Sequence, residues 1–249
     1  MKLNRAGKQQ RRRLLKAAGA ATVTALISGL QLAMWPANAA EGKRKIGIVG
    51  SGKVGGAIGG TWVKAGHEVM FSSRHIEHDR TLAAMLGRGA YAGTPREAAE
   101  FGEVLMISVP YHALPAVREE LGELLKDKIV IDTCNPFVWR DGELAEWARE
   151  KGAGLASLEL LPGARIVRAF NAIGYVNMGK AYEQPGRVGM PFASDDSGAV
   201  KVVEPLIRDV GYEPVFVGGM EMGKYLMPGT PLAGEHTADE IREIAARLD

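Results

Sequence analysis

Residues 45–74 read KIGIVGSGKVGGAIGGTWVKAGHEVMFSSR. A short apolar run, Ile46-Gly47-Ile48-Val49, leads into Gly50-Ser51-Gly52-Lys53-Val54-Gly55, a G-x-G-x-x-G. A helix-compatible segment follows from Gly56 to Ala65. Gly66-His67 then reads as a turn and Glu68-Val69-Met70-Phe71 as a second strand. Strand, glycine turn, helix and strand in this order predict the first βαβ unit of a dinucleotide-binding fold. Glycine-rich turns are common, so the flanking strands and helix carry the argument more than the glycines do. Gly50 allows the tight turn, Gly52 lets a pyrophosphate approach the backbone, and Gly55 lets the helix pack closely on the strands. The N-terminus of that helix offers free N–H groups and a partial positive charge, which suit a diphosphate.

The end of the second strand narrows the nucleotide. An acid about 20 residues beyond the glycines would accept hydrogen bonds from a ribose 2′-hydroxyl and mark NAD. This chain has Ser72-Ser73-Arg74 there, and no acid before Glu77. Two hydroxyls and a guanidinium suit a 2′-phosphate, so the reading is NADP(H).

The rest of the chain continues the α/β pattern. A helix is expected over 75–86, where His75 and His78 are read as solvated rather than as ligands, because no further ligand cluster lies near them. Tyr91-Ala92 is a short third strand. Thr94-Pro95-Arg96-Glu97 opens a helix as a capping box. The apolar run Val104 to Val109 suits a parallel strand covered on both faces. In open α/β sheets ligands sit beyond the carboxyl ends of strands, so Ser108, Val109 and Pro110 are candidates to line the cleft. Tyr111 and His112 follow them, and His112 is a weak candidate general acid. An amphipathic helix over 113–125 comes next, then a strand over 128–132, and Asn135-Pro136 again at a cleft position. A helix over 140–151, a short helix over 157–161 and a strand over 165–170 follow, and Asn171 leaves that strand at the cleft. In the tail, a strand over 186–193 precedes a helix capped by Asp195-Asp196 and running to about 210. A strand then ends at Val217, 223–234 is a loop, and a last helix covers 237–248. The expected fold is α/β: a Rossmann-type, doubly wound and mostly parallel sheet.

The chain has 249 residues and a formal charge of +2, with a single cysteine, Cys134. One cysteine makes no internal disulfide and lacks the companions of a Cys-based metal site, so no metal is assigned. Seven of the 31 Lys/Arg lie in residues 1–39, which hold no acid. The remainder carries 24 basic against 29 acidic residues, and a mildly acidic body does not argue for nucleic acid.

Residues 1–39 read as a twin-arginine-type signal peptide. Arg11-Arg12-Arg13-Leu14-Leu15-Lys16 precedes a mildly apolar run, Ala17 to Trp35, and Ala37-Asn38-Ala39 offers cleavage before Ala40. A nucleic-acid arm and an uncleaved membrane anchor are the competing readings. The cleavage site disfavours the first, and the many small residues disfavour the second. The expectation is an exported, periplasmic protein that touches a membrane only if the segment stays uncleaved. Expected domains are then 1–39, a nucleotide-binding domain over 40–175, and an extension over 176–249 packed on the same sheet. A homodimer is also expected.

The chain resembles the coenzyme F420-dependent NADP oxidoreductase family. The pyrroline-5-carboxylate reductase N-terminal domain and the STEAP metalloreductases have related domains. The resemblance covers 44–217. It rests on IGIVGSGKVGG at 46–56, AGHEV at 65–69, SSR at 72–74, SVP at 108–110, NP at 135–136 and LPGARIVRAFN at 161–171. It implies nucleotide contacts at Gly50, Ser51, Gly52, Lys53, Val54, Ser73, Arg74, Val109, Pro110 and Ala169, with the Ala-Phe-Asn stretch near the nicotinamide. It also implies hydride transfer between NADP(H) and a small redox carrier, deazaflavin F420 or a flavin. Members of the family are typically cytoplasmic, whereas this chain reads as exported. Two other readings are an NADPH-dependent imine or carbonyl reductase, which needs a proton donor such as His112 or Tyr111, and a non-catalytic NADP(H)-binding redox sensor.

Overall fold

The computed structural model describes residues 42–248. The signal peptide expected over residues 1–39 therefore lies outside the described residues. Eight strands form one sheet among the described residues: β1 (Lys45–Val49), β2 (Glu68–Ser72), β3 (Ala90–Ala92), β4 (Val104–Ile107), β5 (Ile129–Asp132), β6 (Arg165–Arg168), β7 (Gly189–Ala193) and β8 (Glu213–Gly218). Their order is β3-β2-β1-β4-β5-β6-β7-β8. The first six strands are parallel; β7 runs antiparallel to β6, meeting it at Arg168 and Ala193, and β8 is parallel to β7. The order 3-2-1-4-5-6 reverses between β1 and β4, which places a ligand crevice at their carboxyl ends.

The helices are α1 (Lys53–Ala65), α2 (Ile76–Leu86), α3 (Pro95–Phe101), α4 (Leu114–Leu121), α5 (Val138–Lys151), α6 (Ala153–Leu160), α7 (Ser197–Asp209) and α8 (Ala238–Ala245). They cover both faces of the sheet, because alternate strand residues point to opposite sides. Ile46, Ile48, Val104, Met106, Ile131 and Val167 pack with Ile58 and Trp62 of α1 and Val203 and Leu206 of α7. Leu105, Ile107, Val130 and Ile166 pack on the other face with Leu114 and Leu121 of α4, Ala148 of α5 and Ala156 of α6. Trp62 ties α1 to α7 by donating to the Leu206 carbonyl at 2.9 Å.

Several boundaries differ from the sequence reading. α1 starts at Lys53 rather than Gly56, so its first turn is built on glycines that propensity alone disfavours. Packing overrides propensity: a Cβ at Gly59 would stand 2.3 Å from the Ile48 side chain and 2.5 Å from Phe71. The helix expected over 113–125 is divided. A 3₁₀ turn over Tyr111–Ala113 precedes α4, and Gly122, at φ 46°, starts another over Gly122–Leu125. α6 begins at Ala153, four residues before the expected Ser157, and β7 begins at Gly189 rather than 186. The expected capping box of Thr94 with Glu97 forms on α3, a second one joins Thr237 and Glu240 on α8, and Asp196 caps α7.

Candidate nucleotide and active site

The glycine turn sits where β1 feeds α1. Gly50 has φ +102°, and a Cβ there would lie 2.2 Å from the Ser108 carbonyl oxygen. The turn and the β4 end thus abut, and only glycine fits. Gly50 and Ser51 donate their N–H groups to the Ser72 carbonyl at 2.9 and 3.0 Å, which pins the turn to the end of β2. Gly55 packs tightly in turn, since a Cβ there would lie 2.1 Å from the Gly50 carbonyl oxygen. Gly52 differs: a Cβ there would meet nothing within 4 Å, so its face of the turn is open. Gly52 is also the N-cap of α1, with no side-chain hydrogen bond to the first turn. An open, uncapped helix start is what a pyrophosphate needs.

At the end of β2 the three candidates divide. Ser72 is fully buried, and its hydroxyl donates to the Ile48 carbonyl at 2.6 Å. The expectation that Ser72 offers a hydroxyl to the nucleotide is therefore corrected; its side chain joins β2 to β1. Ser73 donates to Asp79 Oδ2 at 2.8 Å and accepts the His75 N–H at 3.0 Å. Ser51, also buried, donates its hydroxyl to Asp79 Oδ1. Arg74 is exposed and has no hydrogen-bond or ion-pair partner among the described residues. Lys53 reaches across the crevice, with Nζ 3.1 Å from the Tyr175 hydroxyl and 4.6 Å from its ring centroid, while Val54 is half-buried.

On the opposite side, Ser108, Val109 and Pro110 are half-exposed after β4. Tyr111 is wholly buried, and its hydroxyl has no hydrogen-bond partner among the described residues. Burial first, and the Asp132 charge second, push its pKa far up. This corrects its candidacy as a proton donor, since the hydroxyl faces the protein interior. His112 is half-exposed, and its Nδ1 lies 2.8 Å from Asp141 Oδ1. The Asp141 side chain is fully buried. Burial would raise its pKa, but hydrogen bonds from Arg140, the Phe137 N–H and His112 outweigh it and hold the pKa at about 2. A permanently charged carboxylate on Nδ1 fixes the ring and leaves Nε2 as its free nitrogen.

The ends of β5 and β6 are tied by a buried ion pair. Arg168 donates to Asp132 at 2.7 Å, to the Cys134 carbonyl at 2.9 Å and to Asn135 Oδ1 at 3.1 Å. Asp132 also accepts from Ser157 at 2.6 Å and from the Cys134 N–H at 2.8 Å. Asn135 donates to the Asn171 carbonyl at 2.8 Å, so both ends of its amide already serve the protein. Asn135 thereby braces the loops after β5 and β6, and keeps one N–H and one lone pair for the ligand contact expected of it. Asn171 is the better donor-acceptor for a ligand. Its Nδ2 donates to the Cys134 carbonyl at 3.4 Å, and its buried Oδ1 has no partner among the described residues. An orphaned buried carbonyl oxygen fits an amide N–H of a bound group such as a carboxamide. Ala169 is fully buried, so any contact with a ligand runs through its backbone.

Asp79, Asp132, Arg140 and Asp141 escaped the sequence reading. Each partners residues far along the chain or inside a turn, and no fixed spacing marks them.

Residues 45–136 match the model of the family described as NADP oxidoreductase, coenzyme F420-dependent. That stretch contains the glycine turn, the β2 end and the loops after β4 and β5. The F420-dependent NADP reductase of Methanothermobacter thermautotrophicus is 26% identical over 202 residues, which span 76% of this chain and 87% of that protein. The Metalloreductase STEAP3 of Rattus norvegicus is 26% identical over 179 residues, 71% of this chain but 34% of that protein, so the chain matches about a third of it. Among solved structures, the hypothetical protein SMa0349 of Sinorhizobium meliloti superposes with a TM-score of 0.65 at 21% identity. The match covers 79% of this chain and 96% of that one. That likeness concerns the fold. The resemblance to NADP-dependent oxidoreductases thus rests on the nucleotide-binding half of the sheet and extends in the archaeal relative to most of the chain.

Proposed function

We propose that this chain, whose residues 45–136 carry the NADP oxidoreductase domain, moves hydride between NADP(H) and a small redox carrier, deazaflavin F420 or a flavin. One observation carries the reading: an open, uncapped glycine turn is pinned to the end of β2, where the exposed Arg74 has no partner among the described residues. The turn suits a diphosphate and the guanidinium a 2′-phosphate. The bound nicotinamide supplies the hydride, and the protein supplies position and exclusion of water. Asn171 Oδ1 would accept the carboxamide N–H, and Val109 and Pro110 would flank the ring. The carrier is drawn from the printed name of the archaeal relative, an F420-dependent NADP reductase.

The test is direct hydride transfer. The protein, NADPH deuterated at C4 and coenzyme F420 or a flavin are mixed, and the reduced carrier is examined for deuterium. Label in the carrier supports the reading. NADPH that binds tightly but passes no label to either carrier favours the redox-sensor alternative.

A second reading has its own observation, the His112–Asp141 pair. With Nε2 free, His112 could deliver the proton that imine or carbonyl reduction requires. His112→Ala separates the two: carrier reduction survives it and imine reduction does not. Export belongs to the same proposal. A periplasm has no ready NADP(H) pool, so the nucleotide would be carried out in the folded protein and recycled in place. Terminal sequencing of the mature protein should begin at Ala40, and denaturation should release nucleotide. Light scattering on the purified protein tests the homodimer.

A further inference from the structure

Lys53 and Tyr175 meet beside the glycine turn, although 122 residues separate them. Lys53 is the first residue of α1, and Tyr175 lies in the segment that joins β6 to β7. That segment is fastened along α1. Ile173 and Met178 share the core cluster of Ile58 and Trp62, and a Cβ at Gly179 would lie 3.6 Å from Thr61 Oγ1. Between these anchors the Asn177 N–H donates to the Gly174 carbonyl at 3.1 Å and the Met178 N–H to the Tyr175 carbonyl at 3.2 Å, so the backbone of Tyr175 is set in a turn. Tyr175 itself is 44% exposed.

The pair has donors to spare. Lys53 Nζ donates to the Tyr175 hydroxyl oxygen at 3.1 Å and has no other hydrogen-bond or ion-pair partner among the described residues. A lysine carries three N–H donors and no acceptor, so two remain. The Tyr175 oxygen is the acceptor in that bond, so its own O–H is left to donate, and it has no acceptor among the described residues. Donors from two distant segments thus stand next to the open start of α1. A diphosphate seated on the glycine turn has oxygens that the helix N–H groups do not reach. We infer that Tyr175 is a diphosphate-binding residue, and that with Lys53 it forms a clasp on the side of the diphosphate that the glycine turn leaves open. Because protein contacts alone hold the pair together, little ordering is left for the binding step, and the gain falls on slow release. The inference rests on the nucleotide site proposed above, and suits a nucleotide carried in the folded protein rather than exchanged.

The experiment follows NADPH release by stopped flow, chasing the bound nucleotide with excess NADP+, in the wild type, Tyr175→Phe, Lys53→Met and the double variant. Tyr175→Phe keeps the ring under the lysine and removes only the hydroxyl. Its release rate should rise about tenfold, the low end for a hydrogen bond to a charged group, with the association rate within about threefold. Lys53→Met should lose as much. The double variant should lose clearly less than the product of the two, because each residue holds the other in place. Adenosine 2′-phosphate, which has no diphosphate, should bind Tyr175→Phe as it binds the wild type. A Tyr175 that only supports the fold would weaken both ligands together and show no coupling to Lys53. An unmoved release rate, losses that multiply, or an equal loss of adenosine 2′-phosphate overturns the inference and leaves the proposed function standing. A wild-type protein that does not bind NADPH overturns both.

Discussion

Arg74 stands exposed at the end of β2, while the hydroxyls of Ser72 and Ser73 are committed to the Ile48 carbonyl and to Asp79. If the phosphate depends on that guanidinium, Arg74→Asp should weaken NADPH binding about a hundredfold, through a lost charge-assisted pair and a new repulsion. NADH binding should stay within about threefold. Titration of both nucleotides checks this, and equal loss of the two would sink the assignment. Asp141 makes a second residue-scale prediction. Its folded pKa of about 2 lies below the ordinary range of an aspartate carboxyl. A depressed acid pKa contributes stability that is present above the unfolded value and is lost as pH falls through the folded one. Asp141→Asn should therefore cost about 2 kcal/mol at neutral pH, and its stability should change less between pH 4 and pH 2 than that of the wild type. Denaturant melts across that range provide the measurement.

At the scale of elements, β5 and β6 are held at their carboxyl ends by a charge pair with no exposed surface on either side chain. Breaking such a pair from one side leaves an uncompensated buried charge, and costs about 3–5 kcal/mol. Arg168→Ala should lose that much in a urea melt. Arg168→Met, which refills most of the volume, should recover little of it, because the Asp132 carboxylate stays unpaired. Recovery by Met would mean that packing, rather than charge, holds these strand ends. This pair also marks where sequence reading ran out. The strands themselves were legible, since Val104 to Ile107 and Ile129 to Asp132 are apolar runs of the length a covered parallel strand requires. The order of the first βαβ unit was legible because its glycines and flanking runs are local. The reversal at β7 was not, because a run such as GMPFA reads the same in either direction along a sheet. Nor was the inward turn of Ser72: burial alternates along β2 from Glu68 to Phe71, and Ser72 breaks the alternation by being buried as well. Asp79 and Asp141 were invisible for a different reason. Each joins near partners to a distant one, Ser73 and Ser51 for Asp79, and Arg140, Phe137 and His112 for Asp141, and only tertiary placement brings the distant one near.

The crevice draws on both halves of the parallel sheet. Gly50 to Lys53 come from β1, Arg74 from β2, Ser108 to His112 from β4 and Asn171 from β6. A nucleotide laid across these ends would join segments that the chain alone links through the core and a few loop hydrogen bonds, such as Asn135 to the Asn171 carbonyl. A ligand that binds only the folded state stabilises it in proportion to the logarithm of its saturation. NADPH at a hundred times its dissociation constant should therefore add about 2.7 kcal/mol. For a domain of this size that corresponds to a rise in melting temperature of about 5–10 °C. Amide exchange should slow at 50–55, 74, 108–112 and 169–172 together, because the one ligand bridges them. Protection confined to 50–55 would mean that the nucleotide engages the glycine turn alone and leaves the loop after β6 uncoupled, which would remove Asn171 from the nicotinamide end of the site.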